Sequence, residues 1–160
     1  MRRKKETYFE REKGYPQPIV VRVRRRISFC DVDPMAIAWH GKYTVYFEEA
    51  FAKLGRKCGL SYSDFFKAEL HAPIVQLHID YHKPLVLDEM ITIEAALCWN
   101  DGARLNIEYR LLKDDGSIAA TGYTVEMFIN ARTNEVLLTI PPLLEQCRKR
   151  WKAGEFKCLT

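Results

Sequence analysis

The chain has 160 residues, 48% of them hydrophobic and 29% charged, which suits one globular domain and is short for two. Its formal net charge of +4 is unevenly spread. Residues 1–18 hold six Lys/Arg against three Asp/Glu, Arg22, Arg24, Arg25 and Arg26 crowd one segment, and residues 145–160 hold five against two, so the body between is acidic. No apolar run approaches the ~20 residues of a membrane helix, and the sequence lacks the basic face with interleaved aromatics that marks nucleic-acid binding.

Residues 1–18, MRRKKETYFEREKGYPQP, read as a flexible basic leader closed by Pro16 and Pro18. The segment carries no secretory h-region, and Glu6, Glu10 and Glu12 interrupt the charge of a transit peptide, so the expected location is cytoplasmic. Ile19, Val21, Val23, Ile27 and Phe29 then share one parity, broken only by Arg25, which predicts a half-buried strand. Asp31–His40, DVDPMAIAWH, is a connection in which Pro34 disfavours helix for Asp33. Tyr43, Tyr46, Phe47, Ala50, Phe51 and Leu54 fall at helical spacing and predict one long amphipathic helix, with Gly59 as its terminator. Ser61 or Ser63 can cap a short second helix holding Phe65 and Phe66.

From residue 73 the period changes to two. Val75, Leu77, Ile79 and Tyr81 form one alternating set, Ile91, Ile93, Ala95, Leu97 and Trp99 a second, and Leu105, Ile107, Tyr109 and Leu111 a third. Asn100–Asp101–Gly102 and Asp114–Asp115–Gly116 are turn signals. Residues 117–130 read as a last strand in which Gly122 could mark a bulge, and Pro141–Pro142 starts a final short helix. This order predicts an α+β domain: an antiparallel sheet of about five strands with one long helix laid across it. The sheet's open edges invite pairing with a second copy.

The five cysteines, Cys30, Cys58, Cys98, Cys147 and Cys158, have no metal-ligand spacing and read as reduced thiols packed as small apolar groups. His78, Asp80 and His82 would share a strand face near His71, but such a face reads more simply as solvated, and no metal site is expected.

Chemistry concentrates in residues 31–43, where two acids precede a proline turn and a His-Gly pair sits at the entrance of the long helix. Unpaired N–H groups at a helix start can hold a carbonyl oxygen that becomes negative during attack, and an upstream carboxylate can face the same point. Turn-forming acids and a helix-start histidine are the simpler alternative.

Residues 31–50, DVDPMAIAWHGKYTVYFEEA, resemble the signature of the 4-hydroxybenzoyl-CoA thioesterase family of hot-dog-fold proteins, and that of the related acyl-CoA thioesterases of the Tol–Pal envelope system. The matching positions are Asp31, Asp33, Trp39, His40, Tyr43 and Glu48, with a second likeness from Tyr81 through Pro84 to Asp88. The resemblance implies a hot-dog domain over residues 19–148, in which the sheet wraps the central helix, followed by a C-terminal tail at 149–160. It implies hydrolysis of an acyl-CoA thioester at a dimer interface. Asp33 would be nucleophile or general base, and the helix start at His40 would polarise the carbonyl. Trp39, Gly41, Tyr43 and Glu48 would contact the substrate. Coenzyme A would be part of the substrate, with no separate cofactor, and homo-oligomers, often dimers of dimers, are expected. The basic run that aromatic-CoA members carry between the middle strands is here Asn100–Arg104, leaving Arg104 and Lys83 as candidates for the CoA phosphates, with Arg132 a further one. A hydratase or dehydratase on the same fold, and a non-catalytic acyl-CoA-binding protein, are the alternatives.

Overall fold

The computed structural model describes residues 7–157. In chain order its elements are β1 (Ile19–Arg26), α1 (Tyr43–Cys58), α2 (Tyr62–Lys67), β2 (Leu70–His71), β3 (Ile74–Tyr81), β4 (Met90–Cys98), β5 (Arg104–Lys113), β6 (Ile118–Met127), β7 (Ile129–Asn130) and α3 (Pro142–Lys152). Five strands form one antiparallel sheet in the order β1-β4-β5-β6-β3, and β2 pairs with β7 beside it. The sheet wraps α1, giving the hot-dog arrangement that the resemblance implies.

Alternation explains the wrap. Ile19, Val21, Ile91, Ile93, Leu105, Ile107, Tyr109 and Leu111 face inward and meet Tyr46, Phe47, Ala50, Phe51 and Leu54 on the helix stripe. Phe47 stacks on Tyr109 with ring centroids 4.2 Å apart. Gly59, at φ 74°, ends α1, and Ser61 caps α2 in a reciprocal pair with Asp64.

Gly122 does not mark a bulge. It stays in register between Ile79 and Tyr109, while the irregularities fall at Ile74/Gln76 and Leu111/Leu112. Its role is close approach: a Cβ there would lie 2.4 Å from the His78 carbonyl oxygen and 2.8 Å from Phe47 Cζ. The last strand is also shorter than expected, because it breaks at the fully buried Phe128 before β7.

The expectation of a flexible leader needs correction where residues are described; Met1–Glu6 lie outside them. The Tyr8 and Phe9 N–H groups donate to Glu108 Oε1 at 2.6 and 2.9 Å, and the Tyr8 hydroxyl donates to Asp80 Oδ2 at 2.7 Å. Both rings pack on Tyr123. This segment is a strap on the outer face of the sheet because aromatic side chains there find aromatic and carboxylate partners. The C-terminal boundary at 148 likewise falls inside α3, and Trp151 and Phe156 are buried; Cys158–Thr160 lie outside the described residues. No helix among the described residues is long and apolar enough to cross a membrane.

Candidate functional site

The connection from β1 to α1 is pinned by Asp31. Its carboxylate is 1% exposed and accepts from Arg25 Nη2 at 3.2 and 3.1 Å, from the Ser28 N–H at 3.0 Å and from the Ser28 hydroxyl at 2.9 Å, with Lys42 Nζ 3.6 Å away. Burial pushes this carboxyl up, but the Ser28 N–H and hydroxyl and the Arg25 guanidinium together hold it below its ordinary value. Arg25, the residue that breaks the β1 pattern, thus points inward to meet a buried acid, and it also pairs with Glu49.

Asp33 is placed differently. Its Oδ1 accepts from the Met35 N–H at 2.8 Å, and its backbone closes a turn through Ala36 N to Asp33 O and Asp33 N to Ile37 O, both 2.9 Å. Ala36 occupies the left-handed region at φ 59°. The turn leaves the Asp33 side chain on a cleft of about 380 Å³, lined also by Ile37, Ala38, His40, Tyr43 and Tyr81–Pro84.

The start of α1 lines the same cleft through His40 and Tyr43. Among the described residues, the His40 and Gly41 N–H groups have no backbone acceptor, as expected for the first residues of a helical segment. The Tyr81 hydroxyl donates to the His40 carbonyl at 3.0 Å, and the Tyr81 ring meets Tyr43 edge-on at 4.8 Å, so the edge of β3 fixes the turn that presents those amides. The Trp39 ring lies 4.9 Å from that of His40 and over Gly41, where a Cβ would come within 2.2 Å of it.

The structure therefore brings Asp33, His40, Tyr43 and Lys83 into one cleft, while Trp39 and Gly41 flank His40 in the chain without lining it. It does not bring Glu48 or Arg104 there. Glu48 accepts from the Tyr62 hydroxyl further along α1. Arg104 begins β5 at the end of the sheet where Cys98 pairs with Asn106, whereas the cleft lies at the end where β3 finishes. Arg132 is occupied by Glu69. His78 bonds Asp80 at 3.0 Å and His82 Nε2 bonds Thr121 Oγ1 at 2.9 Å. Tyr81 and His82, which the resemblance does not assign to substrate contact, also line the cleft. The signal available was their place at the head of the Tyr81–Asp88 segment, which meets the helix start in space.

Comparison with known proteins gives consistent results. Residues 27–148 match the model of the thioesterase-like superfamily. A Bacillus subtilis protein provisionally named an acyl-CoA thioesterase is 26% identical over 93 residues, covering 58% of this chain and 67% of the relative. Among solved structures, a DHNA-CoA thioesterase from Staphylococcus aureus superposes with a TM-score of 0.75 at 23% identity, covering 88% of this chain and 97% of that one. A second Staphylococcus aureus protein, solved in complex with CoA, gives 0.74 at 18% identity with 89% of each chain covered.

Proposed function

Because the chain belongs to the thioesterase-like superfamily, we propose that it hydrolyses an acyl-CoA thioester to free CoA and a carboxylic acid, as a member of the 4-hydroxybenzoyl-CoA thioesterase type. The observation that carries this reading is the shared cleft: the Asp33 carboxylate lines it together with His40, whose N–H has no backbone partner at the helix start. A thioester carbonyl seated between them would have an acid on one side and amide donors on the other.

In the proposed reaction the helix-start amides stabilise the oxygen as it gains charge, while Asp33 acts on the carbon. Asp33 either attacks directly, giving a mixed anhydride that water opens, or takes the proton of an attacking water; both routes release the CoA thiol. Tyr43 and Trp39 would flank the acyl group, and Lys83 on the cleft rim would meet a CoA phosphate. The chemistry calls for no cofactor beyond the CoA of the substrate. A homodimer through β3 completes the proposal, and pairs of such dimers are compatible with it.

The test is thiol release from a panel of acyl-CoAs by the wild type and Asp33→Asn. The expected result is turnover on at least one substrate, reduced about a hundredfold or more in the variant. Equal rates for both proteins would overturn the role of Asp33. Hydration of an enoyl-CoA without thiol release would assign the hydratase chemistry instead, and binding without turnover the non-catalytic reading.

A further inference from the structure

A chain of hydrogen bonds runs from the strap to the wall of the cleft. The Tyr8 hydroxyl donates to Asp80 Oδ2 at 2.7 Å and lies 2.7 Å from Thr121 Oγ1, which in turn lies 2.9 Å from His82 Nε2. Thr121 is 2% exposed, so Tyr8 and His82 are its bonding partners. His82 lines the cleft beside Lys83, and the N–H groups of both donate to the Ala119 carbonyl at 2.8 and 3.0 Å.

Proton counting gives this chain a direction. Asp80 also bonds His78 Nε2, at 3.0 Å. The Tyr8 hydroxyl, followed by His78, holds the Asp80 carboxyl below its ordinary value, so near neutral pH it is ionised and only accepts. Burial pushes the Tyr8 hydroxyl up to about 12, so it keeps its one proton, and that proton goes to Asp80. Toward Thr121 the Tyr8 oxygen can then only accept. A threonine hydroxyl also has a single proton. Given to Tyr8, it leaves Thr121 to accept from His82, which puts the imidazole proton on Nε2. Among the described residues, His82 Nδ1 makes no hydrogen bond. The strap itself is held by contacts that do not use the hydroxyl: the Tyr8 and Phe9 N–H groups on Glu108, and the Tyr8 ring against His78 and Tyr123 at centroid distances of 5.6 and 5.1 Å.

We propose that Tyr8 is a positioning residue for the cleft: through Thr121 it fixes the His82 proton on Nε2 and leaves Nδ1 to accept from an amide N–H of the CoA arm. The inference rests on the thioesterase reading for its ligand, since Lys83, the next residue along the same wall, is the one assigned to a CoA phosphate. In the other tautomer Nδ1 would carry a hydrogen, two N–H groups would oppose each other, and the bond to the ligand would be lost.

The experiment labels the histidines of the full chain with nitrogen-15 and reads the two ring nitrogens of His82 by NMR on the alkaline plateau of its titration, with His82→Gln identifying the signals. The wild type is expected to hold the Nε2–H form in about tenfold or greater excess. Tyr8→Phe keeps the ring and backbone contacts but releases the Thr121 hydroxyl to donate to Nε2, so the Nδ1–H form should gain about tenfold or more. Thr121→Val deletes the relay itself and should abolish the preference by a second route. Saturating CoA should move the wild-type Nδ1 resonance, and its dissociation constant should rise about tenfold in Tyr8→Phe. A wild type protonated on Nδ1 overturns the proposal, as does a tautomer ratio that both variants leave unchanged. So does an Nδ1 resonance that CoA leaves in place, or no binding of CoA. Thiol release is read separately: the expected tautomer and CoA response without turnover would overturn hydrolysis and leave this assignment standing, while turnover with an Nδ1 indifferent to CoA would do the reverse.

Discussion

Two acids two positions apart hold opposite places in this molecule. Asp31 is spent on structure, enclosed by Arg25, Lys42 and Ser28, while Asp33 faces the cleft. Replacing Asp31 with Ala would leave the Arg25 guanidinium without its enclosed partner and should cost about 3 kcal/mol, read as a lower urea midpoint at pH 7. The pH dependence has a definite sign. The folded carboxyl sits below the ordinary value of ~3.9, so its stabilisation is complete above that value and is lost as the pH falls through the lower, folded one. The gap between wild type and variant should therefore close in strong acid; a gap that widens there would contradict the pairing. The spacing Asp-x-Asp could not say which acid was which. The clue was the parity break at Arg25: a charge on the inward face of β1 requires a buried counter-charge, and Asp31 lies six residues on.

At the level of elements, the site exists because α1 lies close enough to the sheet for its first turn to reach the end of β3. Gly122 permits that approach. In Gly122→Ala the new Cβ would meet backbone at the His78 carbonyl, which has no freedom to turn away. Overpacking of this kind costs about 1–3 kcal/mol. The expected result is a lower thermal midpoint together with slower thiol release, since lifting Phe47 off the sheet also moves the Tyr43–Tyr81 contact; an unchanged midpoint would show that the helix does not depend on this contact. The strands and the helix were legible because their periods of two and 3.6 are local properties of the chain. The position of Arg104 was not, since which end of β5 meets the helix start depends on strand order and register, and no local pattern encodes either. Lys83 lines the cleft because it lies two residues beyond Tyr81, and Tyr81 is tied to the His40 carbonyl.

For the molecule as a whole, the two edges of the sheet are treated unequally. Along β1, Lys53 and Lys57 of α1 reach across to the Arg22 and Val20 carbonyls at 2.7 and 3.2 Å, occupying acceptors that another strand would use. Along β3 the chain supplies pairing on one side only, from β6, and Ile74, Val75, Leu77 and Tyr81 are each about half exposed. The strap of residues 7–18 covers part of the outer face near His78 and Asp80 without closing that edge. A strand with one bare edge and apolar residues along it is a surface for association, and β3 also carries the Tyr81 that holds the cleft. Pairing through β3 should make the wild type sediment as a dimer across micromolar concentrations. Val75→Lys, which places a charge at that edge, should weaken the self-association constant about tenfold or more while lowering the thermal midpoint of the isolated chain only slightly, because Val75 is already half exposed there. Thiol release per chain should then fall on dilution in step with the loss of dimer. A wild type that sediments as one chain at every concentration, with activity independent of dilution, would place the whole reaction within a single subunit.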